Sequence, residues 1–181
     1  MQPTWQNIIE LTKQYRDMKM EYWLNDNLFT SSWWILFVTT IGIFIVWLFL
    51  LDKKRIIEIL LYGFFVTGTA TMADAIGVAL LLWNYPITLL PTPLIVEIHR
   101  VQMPVIYMLI YQYFPSWKSF SIAVTINAFI FAFILEPTLV WLQIYETYHW
   151  KHIYSVLPYI LIAVVFKFVV NKLKQSDQNY K

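Results

Sequence analysis

Residues 33–51, WWILFVTTIGIFIVWLFLL, contain no charged side chain and are long enough to cross a bilayer as one helix. A run of this kind leaves its backbone little choice, because hydrocarbon offers no partner to an exposed N–H or C=O. Four further stretches are similarly apolar, at about 57–83, 95–114, 119–143 and 154–171. Hydrophobic residues make up 59% of the chain and charged residues 13%, which places it in the membrane class. The expectation is an all-α fold, a polytopic transmembrane bundle of about five spans over 31–172. An amphipathic helix over 1–30 precedes it and a mobile polar cytoplasmic tail, 173–181, follows.

The ends of the first span are marked. Trp33 and Trp34 stand as interface anchors, and Asp52, Lys53, Lys54 and Arg55 close the other end. The N-terminus lacks the pattern of a cleavable signal peptide, so insertion is expected to use the first span. With Lys53, Lys54 and Arg55 in the cytoplasm, Lys118, Lys167, Lys172, Lys174 and Lys181 fall on their side, against Lys13, Arg16, Lys19, Arg100 and Lys151 opposite. That bias predicts an external N-terminus and a cytoplasmic C-terminus. Over 4–25, Trp5, Ile8, Leu11, Tyr15, Met18 and Tyr22 share one arc and Glu10, Lys13, Asp17 and Glu21 the other. This helix lies in the membrane interface or packs on loops of its own bundle.

Against this background the ionisable residues within the apolar segments carry the information. A charge at the bilayer centre costs at least about 2.5–3.5 kcal/mol, so such residues usually face a bundle interior. Asp74, Glu97, Arg100 and Glu136 all map to the outer halves of their spans, with His99 and Gln102 beside them and His149 and His152 in the adjoining loop. Helical spacing puts Asp74 on a stripe with Gly63, Thr67, Ala70, Thr71 and Gly77. It puts Glu97 and Arg100 with Pro104, Tyr107 and Tyr111, and Glu136 with Thr125, Ala132 and Phe133. Pro104, Pro137 and Pro158 each free a carbonyl at this level, which is tolerated where backbone is buried in protein or lines a cavity. The apolar loop 84–93 is a candidate lid.

Asp74, Glu136 and Glu97 are therefore the candidate catalytic groups. Two acids in a low-dielectric site repel, so one would hold its proton and act as a general acid. The alternative is that each only fixes helix packing. Glu97 and Arg100, spaced i and i+3, can neutralise one another, or Arg100 can clamp a polar head together with His99. Trp83 and Tyr107 complete the candidate ligand-binding set. The histidine spacing matches no tight metal motif, and no cofactor fingerprint is present, so neither metal nor cofactor is expected. Net charge of +2 gives no reason to expect nucleic acid, and the absence of cysteine excludes thiolate chemistry.

The stretches DAIGVALLLWNYP (74–86), YMLIYQYFPSWKSF (107–120), EPTLVWLQIY (136–145) and WKHIYS (150–155) resemble a family of small five-span membrane proteins of spore-forming Gram-positive bacteria. The resemblance implies a bacterial plasma-membrane location and no particular activity. The order Asp74, Trp83, Tyr85, Pro93, Glu97 is similar to that of the membrane-embedded lycopene cyclase domain, although that domain carries adjacent acids where Ile98 follows Glu97 here. That second resemblance implies protonation of an isoprenoid alkene by a carboxyl group, the carbocation being stabilised by aromatic faces.

Three functions are compatible with these residues. The first is a cavity that binds or acts on a membrane lipid or isoprenoid. The second is a non-enzymatic accessory protein with a membrane-protein partner. The third is a small proton-coupled transporter, for which no inverted repeat is visible.

Overall fold

The computed structural model describes residues 2–92 and 94–179, and side chains as far as residue 176. It is all-helical except for one pair of two-residue strands. Thr4 and Asn7 cap each other's backbone to open α1 (Trp5–Tyr22), which runs on through a π turn, Trp23–Asn27. Thr30 accepts from the Trp33 N–H to open α2 (Ser31–Leu50). The Asp52 carboxylate accepts from the Lys54 N–H at 3.0 Å and starts the turn into α3 (Ile56–Ala79). A π turn at Ile98–Gln102 leads into α4 (Met103–Tyr113), and α5 (Trp117–Ile130) passes through a second, Phe131–Leu135, into α6 (Glu136–Trp141). The last helix is α7 (Ile153–Asn179). Strand β1 (Trp83–Asn84) pairs antiparallel with β2 (Glu146–Thr147), Trp83 opposite Thr147.

These two π turns stand directly ahead of prolines. The Met103 N–H reaches back to Ile98 O, and the Glu136 N–H to Phe131 O. Pro104 and Pro137 follow at once and have no N–H to donate. Lengthening the bond before each proline lets the helix continue. The inserted residue rotates the flanking faces by about 100° relative to an uninterrupted α-helix. The stripes read from sequence are corrected accordingly. Arg100 is exposed while Pro104, Tyr107 and Tyr111 are buried, and Phe133 is exposed while Ala132 and Glu136 are buried. The stripe on α3, which has no such turn, points inward: Gly63, Ala70, Asp74 and Gly77 are all buried.

Among the described residues, four helical stretches are long and apolar enough to cross a membrane: Ser31–Leu50, Lys53–Ala79, Trp117–Trp141 and Ile153–Ser176. The segment expected as a further span, 95–114, is helical over 96–113, its π turn and α4 included, and is not one of these four. Those 18 residues reach roughly 27 Å at about 1.5 Å per residue, near the hydrocarbon thickness of about 30 Å, so the polar side chains of its first turns, Glu97, His99, Arg100 and Gln102, set it apart rather than its length. It is the inner helix of the bundle, with Met103, Pro104, Val105, Tyr107, Met108 and Tyr111 buried. Helix α3 packs on α4 and α7, and α7 also on α5. Gly63 makes the first contact possible, since a Cβ there would collide with Met108 Sδ. The Tyr62 and Tyr111 rings stack at 4.4 Å, and the Tyr62 hydroxyl donates to Ala163 O at 3.3 Å.

In α2 the buried residues are Trp33, Leu36, Thr40 and Trp47, one seam on a helix that is apolar all round. In lipid such an outer face is solvated as well as the seam is packed. The N-terminal helix behaves differently. Its far end docks on the bundle: Lys19 Nζ donates to Tyr85 O (3.2 Å), Trp23 Nε1 to Thr88 O (3.0 Å) and Asn27 Nδ2 to Pro86 O (3.2 Å). No residue of α1 is buried, and its apolar arc from Trp5 to Met18 stands exposed.

The last helix extends into the polar tail. Helix α7 carries on through residue 179, and Lys174 bonds Glu58 at 2.8 Å, where Arg55 (2.9 Å) and the Tyr111 hydroxyl (2.6 Å) also converge. Tyr180 and Lys181 lie outside the described residues. Close by, Lys167 is buried. Its ammonium donates to Phe114 O and Pro115 O, both at 3.0 Å, and sits 4.0 Å from the Phe120 ring centroid.

Candidate functional site

At the opposite end of the bundle, beneath α1 and the two longer connections, a cavity of about 350 Å³ opens among α3, α6 and α7. Local chain geometry builds it. Helix α3 ends with Leu81 in the left-handed region (φ 53°), and α6 ends in the same way at Gln143 (φ 58°). In both, the next amide reaches back five residues, Leu82 N to Gly77 O and Ile144 N to Leu139 O, each at 2.9 Å. The two outgoing chains meet as β1 and β2. This clip carries Trp83 back over α3, where Gly77 leaves room for its indole.

Asp74, 2% exposed, receives the fold-back. Its Oδ1 accepts from Trp83 Nε1 at 3.0 Å and from the Tyr85 hydroxyl at 2.6 Å. His99 Nδ1 stands 3.5 Å from Oδ2, too far and too poorly aligned for a good hydrogen bond, and that nitrogen is buried without another partner. Glu136, at the first position of α6, makes a second and separate cluster. Its Oε1 accepts from the Tyr159 hydroxyl at 2.8 Å, and its Oε2 lies 2.6 Å from His152 Nδ1. Each acid is thus held by a phenol and faces an imidazole. A charged hydrogen bond of this type contributes about 1.5–3 kcal/mol.

Asp74 and Glu136 both line the one cavity, with Trp83 and His99, so four of the residues picked from sequence are brought together. The other three are not. Glu97 is buried behind the wall, where its Oε1 accepts the Leu89 N–H at 2.7 Å and its Oε2 has no partner. Arg100 is exposed and forms no ion pair with Glu97, because the π turn starting at Ile98 rotates the two apart. Tyr107 is fully buried beneath the floor, its hydroxyl donating to Tyr159 O at 2.9 Å. Pro93 lies outside the described residues. The apolar loop does fold in, with Tyr85, Ile87 and Thr88 buried.

Four polar or aromatic wall residues escaped the sequence reading: Tyr145, Trp150, Ser155 and Tyr159. His152 was visible as a histidine of the connecting loop, but its pairing with Glu136 was not. Nothing in local spacing marks a partner across a turn and a change of helix. Trp150 Nε1 donates to Ser155 Oγ at 2.8 Å, which holds its ring in the wall. Among the described residues no three histidine, aspartate or glutamate side chains are grouped so that they could hold a metal ion.

The arrangement can accept or donate a proton at two imidazole–carboxylate pairs and can place aromatic faces around a bound group. No protein-family model, no curated protein and no solved structure matches this chain.

Proposed function

We propose that this is a multi-pass protein of the bacterial plasma membrane whose cavity binds, or acts on, a membrane lipid or isoprenoid. The observation that carries the reading is the meeting of Asp74 and Glu136, from different helices, in one cavity otherwise walled by aromatic and aliphatic side chains. Its rim includes Ala73 and Ile76 of α3 and Pro158 of α7, all exposed on the outer surface of the bundle. A molecule dissolved in the bilayer would reach the cavity sideways between these helices.

Five crossings fit the side-chain pairing at both ends, and the lysine and arginine bias of the sequence favours the α1 end outside. Lys19 and Ser32 bond the connections at one end, to Tyr85 O and Leu142 O. The Asp52 N–H and Lys167 bond the α4–α5 region at the other, to Gln112 Oε1 and Phe114 O. In this arrangement α4 and its π turn cross as the shielded inner helix. Acid/base chemistry in the cavity would run through the Asp74–His99 and Glu136–His152 pairs, a proton passing between imidazole, carboxylate and ligand.

The test is lipid analysis by mass spectrometry of protein purified in native-lipid particles, comparing wild type with the Asp74→Asn, Glu136→Gln double variant. A species enriched over bulk lipid in the wild type and lost from the variant is the expected result. Identical lipid profiles would remove the reading.

An accessory role is the second reading, supported by the exposed apolar arc of α1. Cross-linking in native membranes through a photo-reactive residue at Leu11 tests it. Adducts to another membrane protein support it, whereas adducts to lipid alone support an interfacial helix.

A further inference from the structure

We infer that the ligand taken by this cavity is an organic cation with an apolar tail, a protonated or quaternary amine that partitions into the membrane. The inference rests on the reading that the cavity opens to the bilayer, and it names the ligand class.

Three independent features converge on a cation. The first is charge. Two carboxylates line the cavity and neither lysine nor arginine does. The basic groups nearest to them are imidazoles, His99 at 3.5 Å from Asp74 and His152 at 2.6 Å from Glu136. An acid-lined wall without lysine or arginine disfavours an anion and offers a cation its counter-charge in a low-dielectric space.

The second feature is an open valence. Every hydrogen bond to Asp74 ends on Oδ1. Its Oδ2 accepts none, although the residue is 98% buried, being 2% exposed, and His99 Nδ1 opposite it is likewise unbonded. A carboxylate oxygen in that position has room for an N–H donor or for the polarised methyl groups of a quaternary ammonium.

The third is the wall. Trp83 and Trp150 meet edge to face at 5.0 Å, and Tyr85 and Tyr145 stack at 5.6 Å. The Tyr85 and Tyr159 hydroxyls are occupied by the two acids, so these residues offer the cavity ring surface rather than donors. Aromatic faces together with acids are the chemistry that holds ammonium groups, at about 0.5–2 kcal/mol per face. Aliphatic residues such as Ile76 and Ile162 line the side towards the bundle surface, where a hydrocarbon tail would run into lipid.

The experiment uses full-length protein in lipid nanodiscs and equilibrium dialysis of radiolabelled decyltrimethylammonium, with protein-free nanodiscs as the blank. The paired probe is the isostere in which carbon replaces nitrogen, equal in shape and uncharged. Wild type is expected to prefer the cation at least tenfold, and Asp74→Asn to abolish the preference while thermal melting confirms a folded bundle. Equal binding of the two probes by wild type, or an undiminished preference in the variant, would overturn the inference. The wild-type comparison needs no variant to fold. Lack of cation preference beside a lipid profile that still changes in the double variant removes this inference and leaves the lipid cavity standing; unchanged lipid and no probe binding remove both.

Discussion

The Trp83 indole occupies the space that a Cβ on Gly77 would need. Gly77 is thereby tied to the cavity six residues along the chain, because this close approach lets Trp83 Nε1 reach Asp74 Oδ1. Gly77→Ala should displace the indole and destabilise the bundle by about 1–3 kcal/mol, the usual effect of overpacking. A lowered melting temperature with altered tryptophan emission would bear this out. Unchanged emission would mean that the indole does not rest on α3.

Tyr85→Phe removes one of the two donors on Asp74 Oδ1 and keeps the ring in the wall. The loss of a buried bond to a charged group predicts about 1.5–3 kcal/mol of destabilisation. Thermal melts in detergent measure it, with Tyr148→Phe, whose exposed hydroxyl bonds only Glu146, as the near-neutral comparison.

Glu97 separates a structural acid from a cavity acid. Its carboxylate accepts the Leu89 N–H, a role that the Gln carbonyl can fill, and the Gln amide would stand where Oε2 has no partner. Glu97→Gln should therefore keep both stability and ligand binding, whereas Glu97→Ala orphans the amide and should cost about 1–3 kcal/mol. Loss of binding in a well-folded Glu97→Gln protein would return this residue to the site.

At the other end of the bundle, Lys167→Met keeps an unbranched stem and deletes the ammonium that serves Phe114 O and Pro115 O. Two carbonyls of the α4–α5 turn lose their donor, and about 1–3 kcal/mol of stability should go with them. Differential scanning calorimetry would read the drop; a melting point equal to wild type would show the two carbonyls to be served by solvent.

Leu81 and Gln143 hold left-handed backbone at the ends of α3 and α6. That conformation costs a side-chain-bearing residue about 1–2 kcal/mol, and glycine avoids it while losing more freedom on folding. Leu81→Gly and Gln143→Gly should each be stabilising by up to about 1 kcal/mol. A fall in melting temperature in either variant would contradict the capping account.

Much of this was legible in the chain itself. Apolar length announced α2, α3, the α5–α6 segment and α7. The spacing of Gly63, Ala70, Asp74 and Gly77 marked the inward face of α3. Where a π turn intervened the same arithmetic failed, and Arg100 and Phe133 came out on the wrong faces. Pro104 and Pro137 were visible, but not that each helix would absorb its proline by an inserted residue. Periodicity was also silent on α2, because lipid is as apolar as the bundle interior and leaves no polar face to mark the outside.

What the sequence determined by itself is therefore what depends on local chemistry: helices of spanning length, their caps and breaks, and the confinement of most intramembrane charge to one end. Which groups meet was decided only in the tertiary structure. Asp74 finds Trp83 and Tyr85 because two left-handed caps and a strand clip fold the chain back on α3, and Glu136 finds His152 and Tyr159 across a change of helix. Such contacts join side chains that no fixed spacing relates, and only the packed bundle brings them together.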